Sequence, residues 1–215
     1  MKVLLINGSP RKQGNTNTAL LEISRELSVH GIESEMVWIG TGHIRGCIAC
    51  GKCKEKSEGR CIFNRCIFND DITNDVISKM AHCDALVVGS PVYYGQPSGQ
   101  LLCLQQRMLF AGGKNFTAKP VAAVAVCRRG GATAAYQTML MPFQMMNMPV
   151  VTSQYWNLAY GRNEGEAAQD AEGMQTMRTM ARNMAWLLKK RPMGQNGCFS
   201  ARKTPIRLPI GHFGC

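Results

Sequence analysis

The sequence predicts an α/β protein built on a doubly wound, five-stranded parallel sheet. Short apolar segments alternate with longer segments of helical periodicity five times along the 215 residues. The apolar segments are continuous, whereas strands with one solvated face alternate apolar and polar residues. Such strands are covered by helices on both faces, and five of them favour the order 2-1-3-4-5, with a ligand crevice where strands 1 and 3 diverge.

In the first third of the chain, two strands flank one helix. Strand 1 is predicted at 3–6, where VLLI runs directly into the turn residues NGSP. A helix is predicted over 16–29, because its leucines and isoleucine recur at helical spacing, and strand 2 is predicted at 34–39. Residues 40–69 have little periodicity and many cysteines, so we expect a cysteine-rich excursion after strand 2.

The remainder of the chain continues the alternation. Asp70 and Asp71 are predicted to cap the second helix, because carboxylates accept hydrogen bonds from the free N–H groups of a helix start. The same criteria of apolar runs and helical spacing predict strands at 85–88 and 121–126, a fifth strand beginning at Pro149, and helices over 72–80, 99–109, 132–146 and 170–190.

Composition excludes several classes of protein. The hydrophobic fraction of 45% and the charged fraction of 18% are those of a globular domain, and no apolar run is long enough to cross a bilayer. The first residues do not resemble a signal peptide, so we expect a cytoplasmic protein whose ten cysteines stay reduced. We expect one domain over 1–190 and a basic tail over 191–215.

The formal net charge of +11 is compatible with an anionic ligand. The basic residues are mostly scattered and no nucleic-acid-binding motif accompanies them, so we do not expect nucleic-acid binding. A basic surface attracts anionic nucleotide cofactors equally well.

Three loops at the carboxyl ends of strands carry the candidate binding residues. GSPRKQGNTNT (8–18) leads into a helix and offers hydroxyls, amides and free N–H groups, which suit a terminal phosphate. SPVYYGQPSGQ (90–100) and CRRGG (127–131) leave the same edge of the sheet, and their tyrosines could flank a planar ring. The simpler alternatives are a loop of helix caps and two half-buried tyrosines.

These stretches, together with KPVAAVAVCRRGGA, resemble the flavodoxin-like NADPH-dependent FMN reductase family, close to its iron–sulfur flavoprotein branch. The likeness runs from about residue 1 to 190 in the expected order. It implies a flavodoxin-like fold, bound FMN and NAD(P)H as electron donor. It also implies that no side chain is catalytic, because the flavin N5 carries the hydride.

The resemblance assigns the FMN contacts to three groups of residues. The phosphate would be held by Ser9, Arg11, Asn15 and Thr16. The ribityl chain and the ring would be contacted by Pro91, Val92, Tyr93, Tyr94 and Gly95. The far edge of the ring would be lined by Arg128, Gly130 and Gly131.

CIACGKC (47–53) has cysteines at the spacing that wraps three corners of a [4Fe–4S] cubane. Cys47, Cys50 and Cys53 are therefore candidate ligands. The pentapeptide RCIFN then occurs twice and supplies two candidates for the fourth ligand. Cys61 has the forward spacing of iron–sulfur flavoproteins, whereas Cys66 has their offset from the following aspartates.

Two other interpretations of the cysteines remain open. Zinc could bind the thiolates with His43 as a further ligand, although zinc sites usually pair two separate cysteine hooks. The cysteines could also be reduced thiols without a metal, as in relatives that keep only part of the pattern.

The sequence thus predicts an FMN-dependent NAD(P)H oxidoreductase acting on quinones, nitro- or azo-aromatics, or free flavin. One alternative is an iron–sulfur flavoprotein that exchanges electrons with a ferredoxin-like partner. A non-catalytic redox or metal sensor is the alternative from another class. By resemblance, a homodimer or homotetramer is expected, without a membrane partner.

Overall fold

The structure is a computed structural model that describes residues 1–57, 60–61 and 64–190, with only the backbone for residues 56, 57, 60 and 61. Five parallel strands form one sheet in the order β2-β1-β3-β4-β5. Their bounds are Lys2–Asn7 (β1), Glu33–Trp38 (β2), Ala85–Pro91 (β3), Val121–Cys127 (β4) and Leu158–Tyr160 (β5). The predicted fold class and strand order are confirmed.

Helices cover both faces of the sheet. One layer contains α1 (Asn15–Val29) and α5 (Ala171–Lys190), and the other contains α2 (Thr73–Ala81), α3 (Gly99–Phe116) and α4 (Ala132–Met145). Each layer has its own apolar core against the sheet. The three central strands β1, β3 and β4 are almost completely buried, which agrees with their continuously apolar sequences.

The fifth strand differs from the prediction. Val150 makes only an isolated parallel bridge with Val121, and the strand proper begins at Leu158. Asn157 is fully buried where the chain re-enters the sheet. Its side-chain amide donates to the Ala123 carbonyl, and its backbone carbonyl accepts from the Ala125 N–H. The chain therefore leaves the sheet after one bridge and returns beside the carboxyl half of β4.

The start of α2 also differs in part. Ile72 occupies the N-cap position, and Asp71 Oδ1 accepts a hydrogen bond from the Thr73 N–H. Asp70 instead forms an exposed ion pair with Arg45, at 2.5 Å. Only one of the two predicted aspartates therefore serves the helix start.

The cysteine-rich excursion lies beside α2 and α3. It contains a short 3-10 helix (Lys52–Lys54) and a two-stranded antiparallel ladder of Lys56–Ser57 with Arg60–Cys61. Among the helices that the structure describes, none combines the length and apolar character of a membrane span. Residues 191–215 lie outside the described part of the chain, so the predicted boundary at 190 stays a prediction.

Candidate functional site

Three loops meet at the carboxyl edge of the sheet. The Gly8 N–H donates to the Gly89 carbonyl at 2.8 Å, which joins the first loop to β3. The Val92 N–H donates to the Val126 carbonyl at 3.0 Å, which joins the second loop to β4. The predicted convergence of the three loops at one edge is therefore present in the structure.

Buried polar side chains hold the first loop in shape. Asn7 Oδ1 accepts from the Ser9 N–H at 3.0 Å, and Ser9 Oγ accepts from the Arg11 N–H at 3.1 Å. Ser98 caps α3 and donates from its hydroxyl to the Gly8 carbonyl at 2.7 Å. Asn7 and Ser98 were not among the predicted site residues. For Asn7 the sequence offered a usable signal, since it is an Asn that ends a buried strand.

The start of α1 provides anion-binding groups. The first helical bond runs from the Thr18 N–H to the Gly14 carbonyl, and no side chain caps the helix. The N–H groups of residues 15–17 therefore have no acceptor within the helix, and with the helix dipole they favour an anion. Thr16 is buried at this end, whereas Arg11 and Lys12 are exposed beside it.

The side chain of Asn15 is bonded within the protein. Its side-chain amide donates to the Asn163 carbonyl at 2.8 Å and accepts from the Ala167 N–H at 3.0 Å. The side chain thus connects α1 to the loop after β5, and the backbone N–H of the residue lies at the start of α1.

The second loop contains a tight turn. Tyr93 and Gln96 exchange both backbone hydrogen bonds, and Tyr94 and Gly95 between them have φ of 50° and 78°. Two positive φ values in succession define a type I′ turn. The turn leaves Tyr93 about half exposed and Tyr94 fully exposed at the carboxyl edge of the sheet, so both rings are accessible to a planar ligand.

The third loop touches the second. Gly131 has φ of 84°, and a Cβ on it would lie 2.9 Å from the Gly95 Cα. Glycine is therefore required at position 131 both by conformation and by space. Arg128 and Gly130 are exposed on the same loop, and Cys127 just before them is buried, which raises the pKa of its thiol.

Four cysteines face one small cavity in the excursion. Cys47, Cys50, Cys53 and Cys66 line it together with Ile48, Gly51, Ile67, Phe68, Arg107, Phe110 and Ala111. Cys53 and Cys66 are each only 9% exposed, whereas Cys47 and Cys50 are exposed. Burial, followed by the neighbouring Cys50, raises the pKa of the Cys53 thiol.

The backbone of CIACGKC contains two residues in the left-handed region. Ala49 and Gly51 both have positive φ, of 53° and 73°, and the Ala49 N–H donates to Cys47 Sγ at 3.5 Å. Successive N–H groups in a right-handed then left-handed conformation form concave surfaces that bind anions, including iron–sulfur clusters. The side chain of Cys61 lies outside the described residues, so its predicted role as a ligand stays a prediction.

Arg107 on α3 is the organising residue that the prediction missed. It is 1% exposed, forms an ion pair with Asp71, and donates from Nε to Cys66 Sγ at 3.4 Å. Burial alone would raise the pKa of Asp71, but hydrogen bonds from Arg107 and Thr73 hold it below its ordinary value. An arginine within the largely apolar segment LLCLQQRMLF was the available signal.

The four cavity cysteines supply the thiolate ligands that a [4Fe–4S] cluster would need. Within residues 1–57 and 64–190, no three histidine, cysteine or acidic side chains are grouped closely enough to hold one metal ion. A cubane requires no such closeness, because each thiolate binds a different iron. His43, the additional zinc ligand considered above, is exposed beside the Arg45 guanidinium, at 3.5 Å, and does not line the cavity.

The sheet order, the loop–helix start and the converging loops define a flavodoxin-like α/β protein. The profile of the family described as NADPH-dependent FMN reductase matches residues 1–163. The chain therefore belongs to the NADPH-dependent FMN reductase family and is an FMN flavoprotein oxidoreductase.

Relatives and solved structures agree with this assignment. An iron–sulfur flavoprotein of Methanocaldococcus jannaschii is 32% identical over 197 residues, covering 88% of this chain and 98% of that protein. An iron–sulfur flavoprotein of Methanosarcina thermophila is 29% identical and covers 88% and 96%. The structure of a Trp repressor binding protein from Bacillus subtilis superposes with a TM-score of 0.61 at 17% identity, covering 83% and 99%, which supports the fold alone.

Proposed function

We propose that the protein takes a hydride from NAD(P)H onto bound FMN and reduces a quinone, a nitro- or azo-aromatic compound, or free flavin. Bound FMN supplies the hydride acceptor at N5 and can release electrons singly or in pairs. The chain's own residues bind and orient the cofactor, and none is required as a general acid or base. The observation that carries the proposal is the convergence of the three joined loops at the carboxyl edge of the sheet.

The residues fit FMN group by group. The N–H groups at the start of α1, with the Ser9 and Thr16 hydroxyls and Arg11, would hold the phosphate. Pro91, Val92, Tyr93, Tyr94 and Gly95 would contact the ribityl chain and the ring. Arg128, Gly130 and Gly131 would line its far edge, where exposed N–H groups and a cation stabilise negative charge that develops on reduction.

The phosphate loop provides the first test. In the Ser9→Ala/Thr16→Val double variant, the phosphate loses two hydroxyl donors while the buried methyl of position 16 is kept. Each hydrogen bond to a charged group contributes about 1.5–3 kcal/mol, so FMN affinity should fall at least about 100-fold, measured by fluorescence titration of the apoprotein. Ser24→Ala, on the same helix but bonded to Ser34, is the control and should bind like the parent.

An anaerobic assay tests the electron donor. Mixing the FMN-loaded protein with NADPH or NADH in a stopped-flow instrument should bleach the visible flavin band with both or one of them. A flavin that is bound yet reduced by neither nucleotide would contradict the NAD(P)H part of the proposal. Binding would then remain supported by the titration.

A second candidate adds a [4Fe–4S] cluster. The four-cysteine cavity favours it, and the relatives named as iron–sulfur flavoproteins support it. Cys47, Cys50 and Cys53 would hold three irons, and one cysteine of the RCIFN repeat would hold the fourth. A bound cluster would exchange single electrons with a ferredoxin-like partner. Lys54 and Lys114 flank a groove next to Cys53 and would attract an acidic protein.

Iron and acid-labile sulfide analysis of anaerobically purified protein separates the candidates. Flavin without iron supports the simple reductase, and flavin with about four irons per chain supports the iron–sulfur flavoprotein. A chain that binds neither would leave the redox sensor. We also propose a cytoplasmic location. We further propose a homodimer or homotetramer, and light scattering of the purified protein would measure the mass of that assembly.

A further inference from the structure

We propose that Arg107 is a positioning residue that seats Cys66, rather than Cys61, as the fourth cluster ligand and raises the reduction potential of the cluster. This inference rests on the proposed iron–sulfur function. It concerns the fourth ligand, for which the duplicated RCIFN offers both Cys61 and Cys66.

Cys66 already lies where a fourth ligand is needed. Its side chain lines the same cavity as those of Cys47, Cys50 and Cys53, and it is nine-tenths buried. Arg107 Nε donates to its sulfur at 3.4 Å. This hydrogen bond fixes the direction of the sulfur, as the hydrogen-bonding partners of metal ligands commonly do.

The backbone around Cys66 is fixed on both sides. The Asn74 side chain accepts from the Cys66 N–H at 2.8 Å and donates to the Cys66 carbonyl at 2.9 Å. Both Asn74 and Arg107 donate to the Phe68 carbonyl, at 3.0 and 3.3 Å. A thiol held in this way loses little conformational freedom when it binds a metal, which favours binding.

Arg107 itself is held by an ion pair within the excursion. Its Nη1 contacts the Asp71 carboxylate, which is 3% exposed, and also donates to the Arg45 carbonyl at 3.4 Å. The guanidinium therefore lies between the sulfur and the carboxylate, with the positive end of the pair towards the cavity. Reduction adds one negative charge to a cluster, and a nearby cation stabilises that charge.

The repeat provides a matched pair of variants for the ligand. Cys61 and Cys66 are both preceded by Arg and followed by Ile-Phe-Asn, so each serine substitution is made in the same local sequence. Cys66→Ser should lose at least about one quarter of its iron, because each thiolate holds one of four irons. Cys61→Ser should keep the iron and the electron paramagnetic resonance spectrum of the parent.

FMN content serves as the internal reference for folding. Equal iron in Cys66→Ser and the parent, or loss of iron in Cys61→Ser alone, would overturn the assignment of Cys66. A parent that binds FMN but no iron would overturn the iron–sulfur function together with this inference. These outcomes are distinguishable on the same samples.

The role of Arg107 is tested by comparing the reduction potential of the cluster in the parent with that in two variants. Arg107→Gln/Asp71→Asn keeps a hydrogen-bonding pair but removes both charges, so the potential should shift below that of the parent. Asp71→Asn alone leaves the cation without its counter-charge, so the potential should shift above the parent. A purely structural role for the pair predicts no such order.

Arg45→Gln/Asp70→Asn is the matched control, because it neutralises an exposed ion pair in the same excursion. Its potential should shift less than that of the buried-pair variant. An anaerobic redox titration followed by electron paramagnetic resonance gives the four values. Equal potentials in the parent and both Asp71 variants would refute the electrostatic role of Arg107.

Discussion

At the scale of single residues, Tyr94 combines an unfavourable backbone with a fully exposed ring. Its φ of 50° lies in the left-handed region, which costs a residue with a Cβ about 1 kcal/mol relative to glycine. Neither the exposed ring nor the strained backbone contributes to folding, which is consistent with the proposed contact with the flavin.

Replacing Tyr94 with glycine should therefore separate stability from binding. Tyr94→Gly is expected to raise the free energy of unfolding of the apoprotein by about 1 kcal/mol, measured in urea. It should also weaken FMN binding several-fold, because a ring contact of about 1 kcal/mol is lost. Tyr94→Ala is the control: it loses the ring but keeps a Cβ in the left-handed region, so it should not gain the same stability.

The positions of the binding-loop residues relative to the strands and helices were predictable from the sequence. The hydrogen-bonding partners of their side chains were not. Thr16 lies at the predicted start of α1, and Ser9 lies in the predicted loop before it. Asn15, in the same motif, instead bonds to a loop 148 residues further along the chain. Such a contact depends on how α1 lies over the sheet, and no local pattern encodes it.

At the scale of elements, the contact between the second and third loops depends on one glycine. Gly131→Ala should be destabilising by about 1–3 kcal/mol, because its Cβ would meet the Gly95 backbone and its φ is 84°. FMN affinity should fall as well, since the two loops would be forced apart. Thermal unfolding of the apoprotein and fluorescence titration measure the two effects.

The neighbouring glycine supplies the control for this prediction. A Cβ at Gly130 would enter open space. Gly130→Ala is expected to leave stability within about 0.5 kcal/mol of the parent. Similar losses in both variants would show that the loop, and not the close approach to Gly95, determines the effect.

Strands and helices with regular periodicity were predictable, and irregular ones were not. The apolar PVV at 149–151 predicted the start of strand 5, yet the chain makes one bridge there and forms the strand at Leu158–Tyr160. The buried Asn157 replaces a backbone partner at the re-entry. Nothing in its local sequence distinguishes this asparagine from one in an exposed loop.

At the scale of the whole molecule, ion pairs connect α1 to α5. Glu22 pairs with Arg178 and Glu26 pairs with Arg182, the latter at 2.7 Å. The Arg182 hydrogen bond lowers the pKa of Glu26 in spite of its burial. These pairs join the first and last helices of the fold on one face of the sheet.

A lowered carboxylate pKa makes a pH-dependent contribution to stability. Glu26 stabilises the folded protein above its ordinary pKa, and this contribution is lost as the pH falls through the lowered folded value. Glu26→Gln should therefore unfold about 0.5–1 kcal/mol more easily at pH 7, with the difference from the parent disappearing in acid. Urea unfolding at several pH values measures it.

Glu164→Gln, which changes an exposed carboxylate, is the control and should behave like the parent at every pH. An equal difference for Glu26→Gln at pH 7 and in acid would contradict an ionic origin.

The pairing of α1 with α5 was itself predictable only in outline. The strand order places both helices on one face, but the sequence does not state which acids and bases meet.

The uneven exposure of the four cavity thiols has a practical consequence. Cys47 and Cys50 open to solvent, whereas Cys53 and Cys66 are shielded. Dioxygen and peroxide can therefore reach Cys47 and Cys50 directly, and oxidation should begin at these two residues. Protein purified in air should therefore lose free thiols first at Cys47 and Cys50, whereas an anaerobic preparation should keep all four.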